Sequence, residues 1–238
     1  QREVRIMISN MCDAGKAGIY NLAYSISQIM TVFNTALMQT IEPWLYKKIK
    51  AKEIREISKV AMPAFMLIAF VNWLLMLFAP EVIKVFAPVS YHDAIWVIPP
   101  IAMSIYFMFL YTFFAVFEFY YEKTQYIMVA TTSGAVLNIL LNFIFIPMHG
   151  YYAAGYTTLV CYIIYVVFHY IFMRKMCNQY LDGAEPYEKK YMFGVTFIFI
   201  MVSFMIMMTY KIDWLRYTLI LIIVCALVIR RKKISKLV

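Results

Sequence analysis

Uninterrupted apolar stretches constrain this chain more than anything else in it. Several run past about 18 residues with few charges, the length a helix needs to cross the hydrocarbon core of a bilayer. A soluble domain of 238 residues does not need to be 64% hydrophobic with a mean hydropathy of +0.72. A transmembrane barrel would show alternating segments of about ten residues, and none is visible. The 7 glycines and 8 prolines fall mostly at the ends of the apolar stretches, which suits helices. The chain therefore reads as an all-α integral membrane protein, a bundle of about seven transmembrane helices.

The seven spans are predicted at residues 17–41, 60–79, 94–117, 126–147, 151–173, 191–210 and 214–229. Glu42-Pro43 should close the first, Pro99-Pro100 should kink the third, and Pro147 with Gly150 should end the fourth. Residues 46–59 interleave six cations with Ile49, Ile54 and Ile57, the pattern of an amphipathic helix lying on the membrane surface. Residues 80–93 read as a short external segment, partly helical, and 118–125 as a short loop. Residues 1–11 read as the last turns of a helix whose beginning is missing, the alternative being a frayed terminus. The chain starts without Met and shows no signal peptide, as a cut through something longer would.

Charge tests this layout. The formal net charge is +9, but the cations sit in loops and at the C-terminus rather than in one patch, which argues against nucleic acid as a partner. With seven spans, the loops 46–59, 118–125 and 174–190 and the basic tail 230–238 share one side and carry 16 Lys and Arg. The opposite loops carry 3, and this asymmetry puts the C-terminus in the cytoplasm.

Polar residues inside the spans are the candidates for function, because lipid cannot satisfy them. The first span holds Asn21, Ser25, Ser27, Gln28, Thr31, Asn34, Thr35, Gln39 and Thr40, so one face should line a bundle interior or a water-filled cavity. Arg5, Lys16 and Glu42 stand at its edges. In the fourth span Thr131, Gly134, Asn138 and Asn142 share a face. The two amides either meet substrate or hydrogen-bond the next helix, and the second reading is preferred. His169 reads as interfacial rather than as a proton relay. Glu42 and Glu118 fall at span ends, so no membrane-embedded carboxylate pair is expected. Cys12, Cys161, Cys177 and Cys225 are scattered, which indicates neither a metal site nor a disulfide framework. No catalytic motif and no carboxylate cluster occurs, so neither an enzyme nor a cofactor is expected.

Three stretches together resemble one family. Asn138, Asn142, Ile146-Pro147, Gly150, Ala153-Ala154-Gly155 and Thr157-Thr158 form the first. Ala17 to Tyr24, followed by Glu42-Pro43-Trp44-Leu45-Tyr46, forms the second. Ala79-Pro80-Glu81-Val82-Ile83, with Tyr91 and Pro99-Pro100, forms the third. They are similar to motifs of the polysaccharide (O-antigen, capsule, exopolysaccharide) repeat-unit flippases, of the multidrug, oligosaccharidyl-lipid and polysaccharide exporter superfamily.

The resemblance implies one half of a 12 to 14-span transporter, so that residues 1–238 form its C-terminal transmembrane half. It implies alternating access at the bacterial inner membrane, a lipid-pyrophosphate-linked oligosaccharide as substrate, and a role in cell-surface polysaccharide biosynthesis. The implied partners are that substrate, membrane lipids and the missing N-terminal half, with a polysaccharide polymerase as a further one. A cation antiporter of the same superfamily and a non-transporting truncated fragment are the alternatives. The family's Asp-Arg pair is replaced here by Val4-Arg5, so no role for the acid carries over. The candidate cavity residues are Arg5, Lys16, Asn21, Gln28, Asn34, Gln39, Glu42, Asn138 and Asn142. Arg5 is the candidate for the pyrophosphate.

Overall fold

The computed structural model describes residues 2–234, with side chains as far as residue 223. It is helical throughout, with no strand among the described residues. The helices are α1 (Arg2–Met11), α2 (Ala14–Lys50), α3 (Ile54–Phe86), α4 (Ile98–Tyr120), α5 (Thr124–His149), α6 (Tyr152–Tyr180), α7 (Lys189–Thr209) and α8 (Asp213–Ile234). A short 3-10 helix, Val89–Trp96, leads into α4. Five of them, α3 to α7, are long and apolar enough to cross a membrane, as a multi-pass membrane protein requires. The other two expected spans rest on α2, which is long but polar along its length, and α8, whose later side chains are not described. The basic tail 230–238 lies outside the described side chains.

Helix α4 is the axis of the bundle. It is apolar on every side, as a helix surrounded by others should be, and packs against α2, α3, α5, α6 and α7. One hydrophobic core gathers the C-terminal halves of α2, α4 and α6 with the start of α3, around Phe65, Phe109, Phe113 and Phe117. A second gathers α1, the start of α2, the end of α3 and the α5–α6 turn, around Tyr20, Ile98 and Ala154. The loops expected to share a side do so. Tyr46 packs on Tyr120, and Tyr121 stacks on Tyr180 at 4.3 Å, at the end rich in cations. At the other end the Lys16 ammonium lies over the Tyr151 ring at 5.2 Å.

Several expected boundaries need correction. Residues 46–59 do not form a separate surface helix: α2 runs to Lys50 and α3 starts at Ile54. Lys52 takes a positive φ of 57°, the Glu53 amide donates to Lys48 O, and Lys48 pairs with Glu53. Ile49, Ile54 and Ile57 then turn into the protein core instead of facing lipid, and the stretch becomes a tight turn between two long helices.

Pro43 does not end α2, and α3 continues through Pro63 and Pro80. A proline inside a helix frees the carbonyl four residues back. For Pro80 that is Met76, and the Tyr210 hydroxyl donates to Met76 O at 2.6 Å, so the tertiary fold supplies the missing donor. Pro99 and Pro100 do not kink α4. They sit in its first turn, where the amide they lack would have no intrahelical partner anyway. Pro147 lies inside α5, and it is Gly150, at φ 66°, that ends the helix.

The α5–α6 hairpin packs by a close approach. A β-carbon on Gly134 would meet the Tyr165 ring at 2.2 Å, and the Tyr165 hydroxyl donates to Thr131 O at 3.2 Å. Asn142 is fully buried between the two arms.

Candidate functional site

Thr31, Thr35, Gln39 and Glu42 recur along α2 at four-, four- and three-residue spacing, with Asn34 beside them, so they share one face. Against that face α4 presents Tyr111 and Thr112, and together they line a cavity of about 300 Å³. A neighbouring cavity of about 410 Å³ shares Met38, Glu42, Tyr111 and Thr112. It reaches Ile127 and Thr131 on α5 and Tyr162, Tyr165 and His169 on α6. The two are one cleft with α2 and α5 as walls and α4 and α6 as floor.

The cleft's polar groups are only partly spent. Thr35 and Thr112 donate to their own helix, to Thr31 O and Phe109 O, the usual way a hydroxyl is accommodated in an apolar helix. Asn34 Nδ2 donates to Ile105 O at 3.0 Å, tying α2 to α4. Asn34 Oδ1 and Thr31 Oγ1 are buried behind the cleft wall without a partner among the described residues. Glu42 accepts from the Tyr46 hydroxyl at 2.8 Å.

At the inner end of the cleft His169 stacks on Tyr111, with ring centroids 4.9 Å apart, and its Nδ1 lies 2.7 Å from Glu118 Oε1. Both side chains are buried. This corrects one expectation, since Glu118 belongs to the last turn of α4 and not to a loop, and it places His169 in the protein interior against it. The signal was an ionisable residue within each of two aromatic runs, residues 116–120 and 166–170. That signal carries no information on which partner each would find.

A second polar place lies toward the other end of α2. Arg5 Nη1 donates to Asn21 Oδ1 at 2.9 Å, and a cavity of about 400 Å³ is lined by Arg2, Arg5, Ser9, Gly18 and Asn21. Asn21 and Glu42 are 21 residues apart on one helix, so the polar strip spans about 32 Å along its axis. Toward the α5–α6 turn, Leu141, Phe145, Tyr152, Ala153, Tyr156 and Val160 line an almost wholly apolar groove of about 720 Å³.

The sequence candidates thus separate into groups. Asn34, Gln39 and Glu42 meet at the cleft, and Arg5 and Asn21 meet at the second cavity. Lys16 sits on Tyr151 near the hairpin tip, and Gln28, half-buried, lines neither place. Asn142 donates to Asn138 Oδ1 and accepts from the Thr157 hydroxyl at 2.6 Å, while Asn138 reaches Cys161 Sγ at 3.6 Å. Both amides are spent on the hairpin. Tyr111, Tyr162, Tyr165, Glu118 and His169 join the site only in three dimensions.

In the α6–α7 connection Glu185 pairs with Arg174 of α6 and with Lys189 at the start of α7. The hydrogen bond from Lys189 holds the Glu185 carboxyl below its usual range. Comparison with known proteins gives no match among family models, curated proteins or solved structures.

Proposed function

We propose that this chain is the C-terminal half of a bacterial inner-membrane flippase for lipid-pyrophosphate-linked oligosaccharides. The observation that carries the reading is the cleft between α2 and α5, a strip of amides, hydroxyls and one carboxylate within a bundle of apolar helices. Polar groups at membrane depth are expensive, and transporters keep them where substrate passes. The exposed hydroxyl of Thr35 and amide of Gln39 at the cleft suit sugar hydroxyls. Arg5, steadied by Asn21, suits a pyrophosphate, which guanidinium groups bind with charge-assisted hydrogen bonds. The apolar groove along α5 and α6 suits a lipid tail left in the bilayer. The motif resemblance points the same way. The missing N-terminal half would form the facing wall, and the end rich in cations would lie in the cytoplasm.

A second reading is a cation antiporter. Tyr111, Tyr162 and Tyr165 beside Glu42 are a chemistry that also suits an organic cation.

Replacing Arg5 by Ala in the full-length chain tests the first reading. A lost charge-assisted contact of about 1.5–3 kcal/mol should lower surface-polysaccharide export by roughly tenfold or more. Unflipped lipid-linked sugar should then accumulate. Undiminished export overturns it, and transport of a fluorescent cation favours the antiporter.

A further inference from the structure

Two titratable side chains that the transport reading leaves unused meet at the inner end of the cleft. Glu118 is fully buried, and His169 is 3% exposed. Their flanks are apolar: Val116, Phe117 and Phe119 on α4, Val167 and Phe168 on α6. His169 belongs to the cleft lining and Glu118 stands behind it. Glu118 Oε2 is buried without a partner among the described residues.

The hydrogen bond decides what this pair can hold. With Nδ1–H donating to Glu118 Oε1, a neutral imidazole keeps its free lone pair on Nε2. That nitrogen makes no hydrogen bond to another described residue. A hydronium ion in the cleft gives up one O–H bond and leaves as water, and its proton adds to Nε2 to give an imidazolium held by the carboxylate. No other bond forms or breaks, and the net charge of the pair goes from minus one to zero. In a low-dielectric setting the neutral total is the favoured one, and the added charge strengthens the existing hydrogen bond.

The surroundings leave this choice to the pair itself. From α2 the titratable groups at the cleft are Glu42, hydrogen-bonded to Tyr46; from α4, Tyr111; from α6, Tyr162 and Tyr165. The cleft residues of α5 are Ile127 and Thr131, and neither titrates. Tyr187, from the α6–α7 connection, packs on Phe113 and Phe114 and gives its hydroxyl to Phe113 O. No Lys or Arg is paired with either member among the described residues.

We propose that Glu118 and His169 form a proton-binding site, loaded from the cleft through His169 Nε2. Only the consequence rests on the transport reading above. A loaded pair carries no net charge and an unloaded pair one negative charge, so the proton and an acidic sugar of the substrate in the cleft favour each other's binding, while the pyrophosphate stays at Arg5. By linkage the effect is reciprocal.

The test is a pH titration of the full chain in proteoliposomes, with ¹⁵N-labelled histidine observed by solid-state NMR. The chain has 3 histidines, so His169 is assigned by the signal lost in His169→Gln. Its two ring nitrogens should be inequivalent and should change between about pH 5 and about pH 8, the window where imidazole charge ordinarily changes. Glu118→Gln should move the midpoint of the His169 change, because it removes the carboxylate that holds the added charge. A His169 signal that does not change over that range overturns the proposal, and the wild-type titration alone can deliver this result if the variant fails to fold. A midpoint unmoved in a folded Glu118→Gln chain also overturns it. Export is measured separately. A chain that titrates but does not export refutes the transport reading and leaves the proton site standing, and an exporting chain with a silent His169 does the reverse.

Discussion

Among the described residues two acid–base pairs with a buried base join distant helices, and they differ in what can be done with them. Glu118 and His169 tie α4 to α6 beside the cleft. Glu81 and Arg216 tie the end of α3 to the start of α8, with Arg216 Nη2 at 2.6 Å from Glu81 Oε1 and 3.0 Å from Asp213. Arg216 is 1% exposed, yet the cavities described above involve neither it nor Glu81. A guanidinium stays charged at any pH a protein meets, so that pair is a strut with one state. An imidazole can be charged or neutral, so the pair at the cleft has two. Burial alone does not separate a structural pair from a functional one. The chemistry of the base and an opening to water do.

The largest effect should come from breaking the strut. Glu81→Ala leaves the Arg216 guanidinium buried with only Asp213, which should cost about 3 kcal/mol. Thermal unfolding in detergent should show the same loss at about pH 5 and about pH 8, the histidine window. A loss that varied over that range would put a titrating group in the strut and erase the contrast.

Gly134→Ala should come next. It drives a β-carbon into the Tyr165 ring, and overpacking of this kind costs about 1–3 kcal/mol. Adding Tyr165→Ala should recover most of it if the ring is the obstacle, and unfolding of the double variant checks that.

Asn142→Leu removes the hairpin's central hydrogen bonds, each worth about 0.6–2 kcal/mol between membrane helices. Unfolding should register that cost, while export by folded chains should stay near wild type. A specific loss of export would return Asn142 to the substrate path.

The smallest effect on stability belongs to Glu118→Gln. The amide oxygen can still accept from His169 Nδ1, so the cost should be about 1 kcal/mol. Its signature should be the altered His169 titration instead. The contrast between the pairs sharpens if Glu81→Ala is costly and silent in that titration while Glu118→Gln is cheap and visible.

Much of the bundle was legible because its causes are local. The long apolar runs specified α3 to α7, and Gly150 and Asp182-Gly183 marked reversals that take positive φ. The polar face of α2 was readable from spacing, and Asn34, Gln39 and Glu42 do meet at the cleft. The amide pair Asn138 and Asn142 was readable as a helix-to-helix lock, because lipid cannot satisfy an amide. Proline was misread four times. Pro99-Pro100 begins a helix, where the missing amides need no partner, and Pro43, Pro80 and Pro147 sit inside helices, since a helix end depends on whether the freed carbonyl finds another donor. For Pro80 that donor is Tyr210, 130 residues later.

By itself, then, the sequence determined the helical, membrane-compatible character of the chain, the reversals between α5 and α6 and between α6 and α7, and the polar side of α2. Length, hydrophobicity and turn chemistry act within one stretch of chain and need no partner. The tertiary structure decided where the charges go. Glu118 meets His169 across 51 positions, and Arg216 meets Glu81 across 135. A buried charge is tolerated only with a partner, and partner choice is a property of how helices pack, which no local pattern records.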